Sequence, residues 1–305
     1  MPTTAAIFLL LLLALLPPWP ASANGVAHPR KLALVQQKPL VLEYHNGTLL
    51  KGNYSLNIVW YGAFSASQRA VVVDFLTSLP AWVPRGRPRR PLLLPGGAPP
   101  SPTRMVLPHS PSGVRTILSD RDIRDLAAPG RHRGSITVIL TASDVTVEGF
   151  CMNRCGSHGS ARLPWGKNRH ARFAYIWVGN SASQCPGQCA WPFHGPIYGP
   201  QTPPLVAPNG DVGADGMVIN LATLLAGTVT NPFDEGFFQG PKEEPLEAVS
   251  ACTGIFGTGA YPGYPGQLLV DRITGASYNA VGASGRKYLV PAMWDPKTSQ
   301  CATLV

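Results

Sequence analysis

Two strings hold the side chains best suited to chemistry: CMNRCGSH at residues 151–158 and CPGQCAWPFH at residues 185–194. Each carries a C-x3-C pair with a histidine three to five residues on, His158 or His194, and donors of this kind could hold a tetrahedral zinc ion. The same cysteines could instead oxidise, and the start of the chain decides between the two. IFLLLLLALL at 7–16 is an apolar run too short to span a membrane, and it is followed by prolines and by Ala21-Ser22-Ala23, the small-x-small form a signal peptidase accepts. A signal peptide over 1–23 and one secreted domain over 24–305 are expected, with no transmembrane segment. All six cysteines, Cys151, Cys155, Cys185, Cys189, Cys252 and Cys301, follow the signal, and an even number in an oxidising compartment predicts three disulfides. Spacing sets the outer two apart, so Cys252 is expected to pair with Cys301 and the other four among themselves. No metal and no cofactor is expected.

Hydrolysis of a sugar bond needs two carboxylates flanking that bond. Acids are few here, and Asp144, Glu148, Asp211, Asp215, Asp234, Glu235 and Glu247 are the candidates, but nothing in their spacing requires two of them to converge. There is no nucleophile elbow, no H-E-x-x-H helix and no P-loop. GVGADG around Gly213 follows no clear strand, which argues against a nucleotide site. No catalytic residue is assigned.

Binding has stronger signals. Residues 81–135 contain ten Arg and three Asp, which places +7 of the total +9 in one Pro-rich stretch. Arg85, Arg87, Arg89 and Arg90 are candidates for docking a polyanion, and for a secreted protein an acidic polysaccharide suits that role better than nucleic acid. The aromatic loops around Trp191, His194 and Tyr261 form the alternative ligand surface. Two sequons, at Asn46 and Asn53, predict glycans facing solvent.

These groups need a scaffold. Hydrophobic residues at 45% can build a core, while Gly 32 and Pro 32 predict a loop-rich domain rather than a bundle of long helices. PLVLEYHNGTLLKGNYSLNIVWYG at 39–62 reads as two β runs turning at His45-Asn46-Gly47, with Leu56, Ile58 and Trp60 on one face. Ser65 and Gln68 have capping-box spacing before a helix predicted from about 66 to 79. SITVILTA at 135–142 and RFAYIWVGN at 172–180 are apolar on both faces, as central strands of a covered sheet must be. Met217, Leu221, Leu224 and Leu225 predict a second helix between Asp215, as its N-cap, and Gly227, as its stop. The fold class is α/β: a single secreted domain with a central mixed sheet, few helices and long disulfide-stapled loops.

Longer strings carry a resemblance. LTASDVTVEGFCMNRCGSHGS, YIWVGNSASQCPGQCAWPFHGPIYGPQTPPLVAPNGDVGADGMVINLATLLAGTVTNPF and PLEAVSACTGIFGTGAYPGYPGQLLVDRITGASYNAVGASGRKYLVPAMWDP closely resemble the plant EXORDIUM-like, or phosphate-induced, family over roughly 38–79 and 135–301. The resemblance implies an extracellular protein of the apoplast and cell wall, linked to growth promotion and brassinosteroid response, with no established catalytic activity. The chain departs from the family at about 81–134, where the family carries a less basic segment with aromatics. A second likeness is to helices of the form HELAEAVTDP in zinc-metallopeptidase-like proteins, since LATLLAGTVTNP ends the same way. Laid over that pattern, the metal-binding His falls on Thr223, the catalytic Glu on Leu224 and the second acidic ligand on Gly227, none of which can serve. That likeness implies a degenerate zinc-metallopeptidase-like scaffold. The expected function is non-enzymatic wall binding or signalling, with acidic wall polysaccharide or an extracellular or membrane receptor as partner. A wall-polysaccharide or other extracellular hydrolase and a structural wall component held by its basic residues are the alternatives.

Overall fold

All seven residues of SITVILT are buried, and a strand with no wettable face must sit in the middle of a sheet. In the computed structural model, which describes residues 40–52, 54–79, 102–106, 117–129, 134–152, 154–162, 172–195 and 203–305, that strand is the axis of the protein. The signal peptide expected over 1–23, the sequon at Asn53 and the arginines Arg85, Arg87, Arg89 and Arg90 lie outside the described residues. The described residues belong to one compact unit, Leu40–Val305.

The strands run β1 (Glu43–Tyr44), β2 (Ser55–Tyr61), β3 (Pro102–Val106), β4 (Ile117–Leu118), β5 (Ser135–Thr141), β6 (Thr146–Val147), β7 (Gly156–Arg162), β8 (Arg172–Gly179), β9 (Phe237–Phe238), β10 (Leu269–Val270) and β11 (Ser277–Tyr278), with four short strands beyond. The helices are α1 (Ala66–Ser78), α2 (Asp120–Ala127), α3 (Pro186–Cys189) and α4 (Val212–Thr230). Five strands form the main sheet in the order β3-β2-β5-β8-β7. The first four run parallel and β7 closes one edge antiparallel to β8, so the sheet is mixed.

Alternation along the strands divides the core. Leu56, Ile58, Trp60, Val138, Leu140, Ile176 and Val178 face α1 and α4, whereas Val59, Ile139, Phe173, Tyr175 and Trp177 face the other way, onto Leu118, Ile123 and the cysteines. Each fully buried aliphatic or aromatic side chain contributes about 1.5–3 kcal/mol. The one polar atom of Trp177 is satisfied, because its Nε1 donates to Thr141 Oγ1 at 3.0 Å. Helix α4 is long and apolar enough to cross a membrane, but 78% of its most apolar window is buried in the protein, where it packs on β7, β8 and α1.

Helix α1 has the capping box the sequence predicts: Gln68 N donates to Ser65 Oγ at 3.1 Å and Ser65 N to Gln68 Oε1 at 3.1 Å. Two expectations need correction. The runs on either side of His45-Asn46-Gly47 do not form a hairpin. β1 pairs with β9, and β2 leaves to lie parallel between β3 and β5, where its apolar faces are both covered. The caps of α4 are also displaced. Asp211 is the N-cap, accepting from Ala214 N at 2.9 Å, and Asp215 lies inside the first turn. The helix runs through Gly227 to Thr230 because that glycine is a point of close packing and not a stop.

Candidate ligand-binding cleft

Cys151 is bonded to Cys185 and Cys155 to Cys189, so the two C-x3-C strings are joined crosswise and α3 is stapled to the loop before β7. The third bond joins Cys252 to Cys301, and no cysteine is free. Trp191 follows α3 by two residues. Its ring lies 6.0 Å from that of Phe256 and rests against Gly254, whose positive φ of 76° favours glycine. α3 is held from behind as well, because a β-carbon on Gly216 of α4 would stand 2.7 Å from that of Ala190.

Across from Trp191 stands the loop GTGAYPGYPG at 257–266. Tyr261 N donates to Tyr264 O at 3.1 Å and Tyr264 N to Tyr261 O at 2.8 Å, closing a tight turn whose rings stand 5.0 Å apart. Phe256 N and Gly257 N both donate to Pro265 O, and Gln267 N donates to Thr258 O, so the base of the loop is also tied down. Trp191, His194, Pro203, Tyr264, Leu268 and Ser277 are among the side chains lining a cleft of about 360 Å³ between these loops. None of the described residues that line it is Asp, Glu, Lys or Arg. Tyr261 is exposed, its ring tilted by 36° against that of Tyr264. Of the aromatic surface suggested by sequence, Trp191 and His194 thus share one cleft, with Tyr261 beside it. Tyr264 and Ser277 were not singled out, although the repeated Tyr-Pro-Gly in YPGYPG is a signal that could have found Tyr264.

A second polar group sits behind the sheet edge. His158 on β7 donates from Nε2 to Glu247 Oε2 at 2.6 Å, and Glu247 Oε1 accepts from Asn231 Nδ2 at 2.7 Å. Asn231 Oδ1 in turn accepts from Gly236 N at 2.8 Å. Histidine and carboxylate are both mostly buried, with side-chain exposures of 11% each, and His158 Nδ1 has no hydrogen-bond partner among the described residues. The remaining acids are scattered. Asp144 accepts from Ala63 N, Asp211 caps α4 and accepts from Gln68 Nε2, and Asp215 accepts two hydrogen bonds from Asn209. Burial pushes the Asp215 carboxyl up to about 6, against the pull of the Asn209 hydrogen bonds. Asp234 and Glu235 are exposed, and none of the candidate acids lines the cleft.

The geometry gives the zinc-peptidase likeness no support. Thr223 Oγ1 donates to Ile219 O within the helix, Leu224 packs toward Gly156, and Gly227 abuts the His158–Glu247 pair. Among the described residues no group of three or more His, Cys, Asp or Glu side chains could hold a metal ion. Asn46 is exposed, with a positive φ of 62°, on the turn between β1 and β2.

The phosphate-induced protein 1 conserved region matches residues 42–91 and 110–304, leaving a gap inside the Arg-rich stretch. The chain is 57% identical to Protein EXORDIUM-like 2 of Arabidopsis thaliana over 289 residues, covering 90% of this chain and 92% of that one. It is 54% identical to Protein EXORDIUM of Arabidopsis thaliana over 294 residues, 89% of this chain and 93% of that one. To Protein PHOSPHATE-INDUCED 1 of Nicotiana tabacum it is 52% identical over 297 residues, 90% and 93% of the two chains. No solved structure matches it. With a conserved region that fills most of the chain and relatives that align nearly end to end, the protein belongs to the EXORDIUM and phosphate-induced family.

Proposed function

We propose that the protein is a secreted, non-enzymatic constituent of the plant cell wall that acts in growth by binding, with the cleft at Trp191 as its ligand seat. The observation that carries this reading is the cleft itself: a fixed tryptophan and a fixed tyrosine line it, and no carboxylate among the described residues does. Aromatic side chains with few rotatable bonds give large contact area at small entropic cost, which suits binding. A retaining or inverting glycosidase would need two carboxylates within reach of the ligand. The Arg85, Arg87, Arg89 and Arg90 stretch supplies a second, long-range attraction to acidic wall polysaccharide.

Purified mature protein is expected to sediment saturably with wall polysaccharide fractions and to release no reducing ends. Trp191→Ala should weaken that association by roughly tenfold or more, as for an interface anchor. Release of reducing ends that disappears on replacing two of the candidate acids would instead make the protein a hydrolase.

A further inference from the structure

We infer that the cleft takes an uncharged glycan, with sugar rings stacked on Trp191 and Tyr264 and ring hydroxyls met by His194 and Ser277. This rests on the reading of the cleft as the ligand seat and goes on to name what fills it. A sugar ring has an apolar C–H face and a polar edge, and the cleft is divided in the same way. Trp191, Tyr264, Pro203 and Leu268 offer flat or apolar surface, and beside the Tyr264 hydroxyl and the Trp191 N–H the polar side chains lining it are His194 and the buried Ser277. An acidic sugar would leave water for a place with no cation among the described lining residues, and an unpaired buried charge is strongly disfavoured.

The histidine decides between a glycan and the other ligand that aromatic grooves favour, a proline-rich peptide. His194 Nδ1 lies 3.0 Å from Gly195 O, a carbonyl that can only accept, and in the neutral tautomer that donates to it Nε2 is free to accept. A sugar hydroxyl can donate to it. An uninterrupted run of prolines has no N–H to give, and its carbonyls would face a second acceptor. Preorganisation supports a ligand held by stacking: α3 is stapled by two disulfides and the tyrosine loop is closed by backbone hydrogen bonds, so little order remains to be imposed when the ligand arrives.

The test is calorimetric titration of the full mature protein with four probes: neutral β-glucan and β-galactan oligosaccharides, an oligogalacturonate of matched length, and an oligoproline. At least one neutral oligosaccharide should bind with an affinity that a tenfold rise in salt leaves unchanged. Trp191→Ala and Tyr264→Ala should each weaken it at least about tenfold, with Trp191→Phe recovering most of the loss. His194→Phe, at an exposed position, removes the acceptor without touching the core and should weaken binding with the melting temperature unchanged. Oligogalacturonate or oligoproline bound in a Trp191-dependent way, with the neutral oligosaccharides inert, would overturn the glycan assignment and leave the cleft as the ligand seat. Binding of nothing by the folded protein, or binding indifferent to Trp191, Tyr264 and His194 alike, would overturn both.

Discussion

The α-carbon of Gly227 faces the His158–Glu247 pair so closely that a β-carbon there would stand 2.5 Å from Glu247 Oε2 and 2.9 Å from His158 Nε2. A glycine inside a helix costs about 1 kcal/mol relative to alanine, so its presence here needs a reason, and the pair supplies one. Gly227→Ala should therefore destabilise the protein by about 1–3 kcal/mol despite the better helix propensity. Chemical denaturation checks this, and a stabilised variant would contradict the packing.

The pair itself should also matter. His158→Ala removes the Nε2 donor from a mostly buried carboxylate and leaves a hole between β7 and α4, so a loss of about 2–4 kcal/mol is expected. His158→Gln, which can still donate, should recover part of that loss in the same denaturation experiment.

Asp215 makes stability depend on pH. Its carboxyl ordinarily titrates at 3.8 and is pushed up to about 6 by burial, so the folded state favours the protonated form. The resulting stabilisation is fully present below pH 3.8 and is lost as pH rises through about 6. Asp215→Asn should flatten the stability profile between about pH 4 and 6, an effect on the order of 1–3 kcal/mol. Thermal melts across that window check it, and an unchanged slope would assign the titration to other groups.

The disulfides should separate stability from binding. Cys252 and Cys301 close a span of 49 residues, and replacing both by Ser should cost about 2–4 kcal/mol while leaving the cleft able to bind. Replacing Cys155 and Cys189 loosens the helix just ahead of Trp191, so oligosaccharide affinity should fall in that variant even under conditions where it is fully folded.

The arginine stretch should act through charge alone. Replacing Arg85, Arg87, Arg89 and Arg90 together by Gln should release much of the protein from pectin-rich wall material and flatten the salt dependence of its retention, because such attraction is screened over about 8–10 Å at physiological ionic strength. The melting temperature and the binding of neutral oligosaccharide should not change.

Legibility in the sequence followed burial. SITVILTA and RFAYIWVGN could be read as central strands because both of their faces are apolar, and Ser65 with Gln68 fixed the start of α1 because a capping box is local. The hairpin expected at Asn46 does not form, for the opposite reason: the turn residues are right, but the gain from burying β2 between two parallel neighbours is long-range and outweighs the local preference. Asp211 and Asp215 both have the chemistry of a cap, and the fold separates them by turning Asp211 onto Ala214 N and Asp215 onto Asn209. In the cleft, Trp191 and His194 stood out by their density near cysteines. Tyr264 and Ser277 lie some 70 or more residues further along, and only the fold brings them there. His158 and Glu247, 89 residues apart, could not be paired from spacing.

The most direct measurement of whether Trp191 marks the ligand seat is the indole N–H spectrum of labelled protein titrated with soluble wall oligosaccharides, with the Trp191 resonance identified by its loss in Trp191→Phe. The Trp191 signal should move in a saturable way while those of the buried Trp60, Trp177 and Trp294 stay where they are. A titration that shows binding while the Trp191 signal stays fixed would place the ligand elsewhere and contradict the assignment.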